Sequence, residues 1–225
     1  MAPVIYHVMS RGVDKRLIFQ EDKDYLRFIN DLYEFNNLKP TVNNNRSASS
    51  FVIDVKHQSL TDRDQLVELY AFCLMPNHYH LLLTPIRDDG MSKFMQKLNG
   101  GYVKYFNLKY SRKGRLFEST YKPVTVESES HFIYLPYYIH CNPLDLEMAG
   151  WRTRSLPSPK AAWQFLETYR WSSHLDYLGR ENFPSVTDRT FLLSFFGETQ
   201  GYSKSFEAWL NNIKMPDSKI TLERE

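Results

Sequence analysis

Cysteine is scarce in this 225-residue chain: only Cys73 and Cys141, with no Cys-x-x-Cys spacing. That argues against a disulfide scaffold or a thiolate zinc knuckle, and makes a reducing cytoplasm the expected compartment. No apolar run approaches membrane-spanning length, and the first residues lack the basic-then-apolar layout of a signal peptide. No P-loop motif is present either, so the chain is not expected to use ATP. An excess of one charge is also missing: 28 Lys and Arg stand against 26 Asp and Glu, a formal net charge of +2. Any argument for an acidic partner must therefore come from where the charges lie. The length suits one domain, or one domain with a smaller appendage.

Tyrosine and phenylalanine, in contrast, are plentiful at fifteen each. The most informative stretch is Leu74-Met75-Pro76-Asn77-His78-Tyr79-His80-Leu81-Leu82-Leu83. Pro76 and Asn77 suit the centre of a tight turn, Pro by its fixed φ and Asn by tolerating positive φ. The residues that follow read as a strand entering the core. Side chains two apart share a face of a strand, so His78 and His80 point one way and Tyr79, Leu81 and Leu83 the other. Two imidazoles side by side make a pair of metal ligands, although an isolated His-x-His is far more often just two surface histidines, and only a second stretch later in the chain changes that.

A second stretch, Phe132 to Pro143, reads as a helix that stops where Pro143 forbids continuation. Residues four apart lie on one helical face, so Tyr138 stacks with Asn142, a phenol beside a carboxamide oxygen. No other nearby tyrosine has such a partner: Tyr137 pairs with Cys141, Tyr134 with Tyr138 and Tyr121 with Thr125. Two histidines, an amide oxygen and a phenol can hold a divalent cation over a phosphodiester and attack it. Mixed imidazole and oxygen donors favour Mg²⁺ or Mn²⁺ over a structural zinc.

On these residues the chain resembles a known family. His78-Tyr79-His80 is similar to the HUH signature, and Tyr138 to Asn142-Pro143 is similar to the nucleophile helix of single-tyrosine HUH transposases. Tyr6 to Gly12, Gly114 to Glu118 and Tyr169 to Ser173 agree, over roughly residues 4 to 180. The resemblance is to REP-associated tyrosine transposases. It implies cleavage of single-stranded DNA that carries a short hairpin, through a 5′-phosphotyrosine intermediate. Relatives act as monomers or homodimers, and both states remain open.

Taken in order, residues 4–10 read as a first strand and Arg11-Gly12 begins a basic loop. Asp22 or Asp24 opens a helix carrying Tyr25, Phe28, Ile29, Leu32 and Phe35 at helical spacing. Residues 36–64 read as a flexible insertion. Gln65 to Met75 and His78 to Ile86 form a hairpin, and Met91 to Tyr110 a long helix. Val124 to Val126 is the last strand, and Ser128 or Ser130 caps the tyrosine helix. This order predicts an α+β fold, a ferredoxin-like antiparallel sheet backed by helices, which the resemblance also implies. The expected division is a nuclease domain over 1–150 and a helical C-terminal extension over 151–225, with helices at 187–196 and 202–213. Arg152 to Pro159 reads as a linking loop.

Charge is concentrated between Lys93 and Lys122, where eight basic residues face one acidic residue, Glu118. With tyrosine and phenylalanine interleaved, this is the pattern of a single-stranded nucleic-acid platform. The expected DNA contacts are Arg11, Lys93, Lys97, Lys104, Arg112, Lys113, Arg115 and Lys122. The expected enzyme uses Tyr138 as nucleophile and His78, His80 and Asn142 as ligands for Mg²⁺ or Mn²⁺. Two rivals make different predictions. A catalytically inactive hairpin-binding protein would form no DNA adduct. A metal hydrolase would cut with water and also leave no protein-linked DNA, and this chain lacks the downstream Glu of the cupin motif that such a pair of histidines would need.

Overall fold

The computed structural model describes residues 4–39, 63–126, 128–153 and 156–213, so most of the insertion expected over 36–64 lies outside the described residues. Among the described residues there are four strands: β1 (Tyr6–Arg11), β2 (Val67–Met75), β3 (His78–Pro85) and β4 (Lys122–Thr125). They form one antiparallel sheet in the order β2-β3-β1-β4. Helix α1 (Asp22–Glu34) connects β1 to β2, and α2 (Gly90–Lys109) connects β3 to β4. This is the βαββαβ plan of a ferredoxin-like α+β fold. Pro76-Asn77 makes the hairpin turn that sets Met75 opposite His78.

The pleat separates two cores. On one face Val8, Phe72, Leu74, Tyr79, Leu81 and Leu83 pack against Phe28, Ile29 and Leu32 of α1 and Phe94, Leu98 and Tyr102 of α2. Both helices meet the sheet through the apolar spacing their sequences carry. Asp24 ties them together: its buried carboxylate accepts from Tyr105, Tyr110 and Lys109. Burial works to raise its pKa, but these hydrogen bonds prevail and hold it below the usual carboxylate range.

The opposite face carries Ala71, Cys73, Met75 and Leu82, and helix α3 (Glu129–Cys141) lies against it. The Ser128 hydroxyl caps α3 by accepting from the His131 N–H at 3.2 Å. Beyond residue 150 come α4 (Pro159–Thr168), α5 (His174–Tyr177), α6 (Thr190–Phe196) and α7 (Glu198–Asn211). Two of them answer the helices expected at 187–196 and 202–213, while α4 has no counterpart in the sequence reading. These helices do not build a separate core. Leu166, Leu192, Phe206 and Leu210 join Leu135, Ile139 and Leu82 in one cluster. Trp171 to Ser173 runs beside β2, with Leu74 N–H donating to Trp171 O at 2.9 Å and Ser173 N–H to Phe72 O at 3.0 Å. The extension is therefore welded to the sheet face on which the histidines stand.

Candidate active site

β3 turns His78 and His80 to the α3 face, their ring centroids 5.0 Å apart. Asn77 Oδ1 lies 2.6 Å from His78 Nδ1. His7, on the neighbouring strand β1, places Nε2 at 2.9 Å from His80 Nδ1. Both candidate ligands are thus held at Nδ1, so Nε2 is the nitrogen each would offer a metal. The two orienting partners matter because an imidazole free to rotate makes a poor ligand.

α3 brings Tyr138 over this pair. Its ring centroid stands 6.0 Å from those of His7 and His80, edge-on to each. One turn on, Asn142 caps the helix and donates from Nδ2 to the Tyr138 carbonyl at 2.8 Å. With Nδ2 engaged there, Oδ1 is the carboxamide atom left to accept from elsewhere. The structure therefore gathers Tyr138, His80, His78 and Asn142 at one place, although 58 positions separate His80 from Tyr138 in the chain.

Two further residues at this place escaped the sequence reading. His7 was visible only as part of a strand, because its approach to His80 depends on the β1–β3 register, with His7 opposite Leu82. Arg152, expected in a linking loop, lies in a short 3-10 turn, Ala149–Thr153, that folds back over α3. Its guanidinium donates to Tyr138 Oη at 2.6 Å and to Asn142 Oδ1 at 2.8 Å. Asp145 holds it from behind, accepting from Nε at 3.0 Å and at 2.6 Å from Nη2, the nitrogen that also bonds Asn142. Trp151 donates to Asp145 at 2.6 Å, and the guanidinium lies 4.7 Å from the Trp151 ring. Tyr138 is 1% exposed beneath this cover.

The donor set suits a divalent cation of modest softness. It offers two imidazole nitrogens and one amide oxygen, fewer donors than such a cation takes, so phosphate and water would have to supply the rest. Arg152 already uses one lone pair of Asn142 Oδ1, and an amide oxygen has two. Among the described residues no three His, Cys, Asp or Glu side chains converge as a metal cluster, so a cation held here would have to draw on the amide oxygen as well.

The expected DNA contacts divide by place. Arg11 sits opposite His78 in the strand register, at the active-site end of β1. Lys93, Lys97 and Lys104 belong to α2, behind the sheet. Lys93 pairs with Asp89 at 2.6 Å, and Lys97 donates to the carbonyls of Asn37, Leu38 and Lys39, where burial lowers its pKa. Lys104 is exposed. Arg112 is held by Asn107 at 3.1 Å, while Lys113, Arg115 and Lys122 reach solvent around the end of α2 and the start of β4.

A family model described as "Transposase IS200 like" matches residues 45–142. Over that span the chain is similar to the IS200-like transposases. The IS200-like span contains both histidines and Tyr138 and ends on Asn142, whereas His7 and Arg152 lie outside it. A solved structure described as a REP-associated tyrosine transposase bound to a REP hairpin is 16% identical, covering 83% of this chain and 88% of the other at a TM-score of 0.44. No curated protein matches the chain.

Proposed function

We propose that this chain is a metal-dependent endonuclease and strand transferase that acts on hairpin-bearing single-stranded DNA through Tyr138. The observation that carries the reading is the 6.0 Å approach of the Tyr138 ring to His80, with Asn142 one turn away on the same helix. The match to IS200-like transposases over the span holding all four residues supports it.

His78, His80 and Asn142 would hold Mg²⁺ or Mn²⁺, which would polarise the scissile phosphate. Tyr138 Oη attacks phosphorus as the P–O3′ bond breaks. The phenolic proton leaves to solvent and the departing 3′-oxygen gains one, giving a 5′-phosphotyrosine and a free 3′-hydroxyl. The phosphodiester count is unchanged, so a 3′-hydroxyl can later reverse the step without ATP. Arg152 beside Oη stabilises negative charge there, both as the phenol attacks and as it leaves. Because Tyr138 is buried, the Ala149–Thr153 turn must yield before DNA reaches it.

The test is a denaturing gel with a labelled single-stranded hairpin substrate. Mn²⁺-dependent, protein-linked DNA is expected from the natural chain and not from Tyr138→Phe. Cleavage without a linked species would favour the water-driven hydrolase. Binding without cleavage would favour the inactive hairpin-binding protein. EDTA is expected to abolish cutting and leave the melting temperature unchanged, since neither apolar core depends on a metal. In the cell the reading implies a cytoplasmic, nucleoid-associated protein, acting as a monomer or a homodimer.

A further inference from the structure

On the sheet face away from Tyr138, an open cavity of about 510 Å³ lies between α2 and the segment that leads into β4. Its floor is Val103, Leu116 and Phe117, with Gly100 adding no side chain, and its mouth carries Asn99, Arg115, Glu118 and Thr120. An apolar floor with a few polar groups at the rim is the make-up of a small-molecule or nucleobase site, and the volume lies in the usual range for one. We propose that this cavity receives a single unpaired nucleobase that carries an exocyclic amino group. The inference rests on the single-strand reading above and deepens it.

Three observations support the assignment. First, the rim is chemically mixed in the way a base requires. Arg115, Lys113, Lys104 and Lys122 are exposed nearby and suit the phosphates on either side. Glu118 is the one carboxylate between Lys93 and Lys122. A carboxylate repels phosphate, so beside an apolar hollow it is better suited to a base edge. Carboxylates accept from amino groups such as cytosine N4, and adenine and guanine also carry amino groups, whereas thymine has none.

Second, the cavity is built onto the active-site strands. Tyr79, between the two histidines, donates through its hydroxyl to Asn99 Oδ1 at 2.6 Å, and Asn99 Nδ2 donates to Thr120 O at 2.6 Å. Glu118 N–H donates to Arg11 O at 2.9 Å, and Arg11 lies directly opposite His78. Two strand spacings, about 10 Å, therefore separate the Glu118 backbone from that of His78. A strand passing over Arg11 at the sheet's end would meet both places. Third, Phe117 is edge-on to Tyr79 at 5.8 Å, which fixes an aromatic surface in the floor. Bases extruded from a stack are held by such surfaces together with hydrogen bonds to their edges.

The experiment uses the full chain and fluorescence anisotropy on oligothymidine strands, either uniform or with one adenine, cytosine or guanine placed centrally. The natural chain is expected to bind at least one amino-bearing strand five- to tenfold more tightly than uniform thymidine. Gly100→Phe fills the cavity, and a Cβ at Gly100 meets nothing within 4 Å, so the fold is expected to persist. This variant should lose the preference while binding a blunt hairpin within twofold of the natural chain. Glu118→Ala should also lose it, with overall affinity rising because a repelling charge is gone. Binding without base preference, or a preference that survives Gly100→Phe in a folded protein, overturns the inference and leaves the single-strand reading standing. Failure to bind any single strand overturns both.

Discussion

Arg152 joins three groups that the proposed chemistry needs kept in place: the phenolic oxygen of Tyr138, the amide oxygen of Asn142 and the carboxylate of Asp145. Arg152→Ala strips partners from all three in a half-buried setting. Leaving such groups unsatisfied costs about 1–3 kcal/mol, readable as a lower urea midpoint. The same change is expected to slow adduct formation by roughly 10²-fold, in the range for losing one preorganised donor at a developing charge. Arg152→Lys keeps the charge without the planar fork and should fall between the two. Equal adduct rates for Arg152→Ala and the natural chain would remove Arg152 from the chemistry. Tyr138→Phe behaves differently: it loses one hydrogen bond, about 1 kcal/mol, and all adduct.

At the scale of elements, a buried polar network fastens α3 to the C-terminal helices. His140 Nδ1 lies 2.7 Å from Tyr202 Oη on α7, and Nε2 lies 2.8 Å from Ser173 Oγ. His174 Nδ1 meets the same Tyr202 hydroxyl at 3.1 Å. Burial holds both histidines neutral. His140 falls well below its usual value, helped by His174, and His174 falls to about 3, helped by Arg180. The unfolded chain protonates each near pH 6.5 while the folded chain does not, so the unfolded state takes up more protons as pH falls. Stability is therefore lost below about pH 6.5, by up to ~2 kcal/mol per histidine at pH 5. Asp31, which burial pushes up to about 7, works in the opposite sense over this window. Comparison with a His174→Gln variant isolates the histidine contribution: its urea stability should fall less between pH 6.5 and 5 than that of the natural chain. Matching pH slopes in the two proteins would contradict this account.

Over the whole molecule, the basic residues do not act as one surface. Lys97 spends its donors on backbone carbonyls, so Lys97→Ala is expected to lower the melting temperature and leave DNA affinity within about twofold. Arg115 and Lys113 stand exposed, and replacing both with Ala should weaken DNA binding and reduce the slope of log K against log salt by up to about 1.4, near 0.7 per phosphate contact on a single strand. An unchanged slope would place the DNA elsewhere. The welded extension also bears on how the protein unfolds. Because Leu166 and Phe206 share a cluster with Leu135 and Leu82, truncation after residue 150 should expose core and give an aggregating product rather than a smaller folded domain.

Much of this was legible in the residues because it depends on local periodicity. The alternation in β3 put His78 and His80 on one face, and the helical repeat put Tyr138 above Asn142. The apolar spacing of α1 marked the side that meets the sheet, and strand and helix order alone was enough for the ferredoxin-like plan. Other features depend on contacts between distant segments, which no local pattern encodes. His7 reaches His80 only through strand register. Arg152 reaches Tyr138 only because a 3-10 turn folds back over its helix, and the C-terminal helices close over the sheet because their apolar faces have no other partner. The chain alone set which chemical groups were available and how each element faces; tertiary packing decided which of them meet, because burial and register are properties of the assembled sheet.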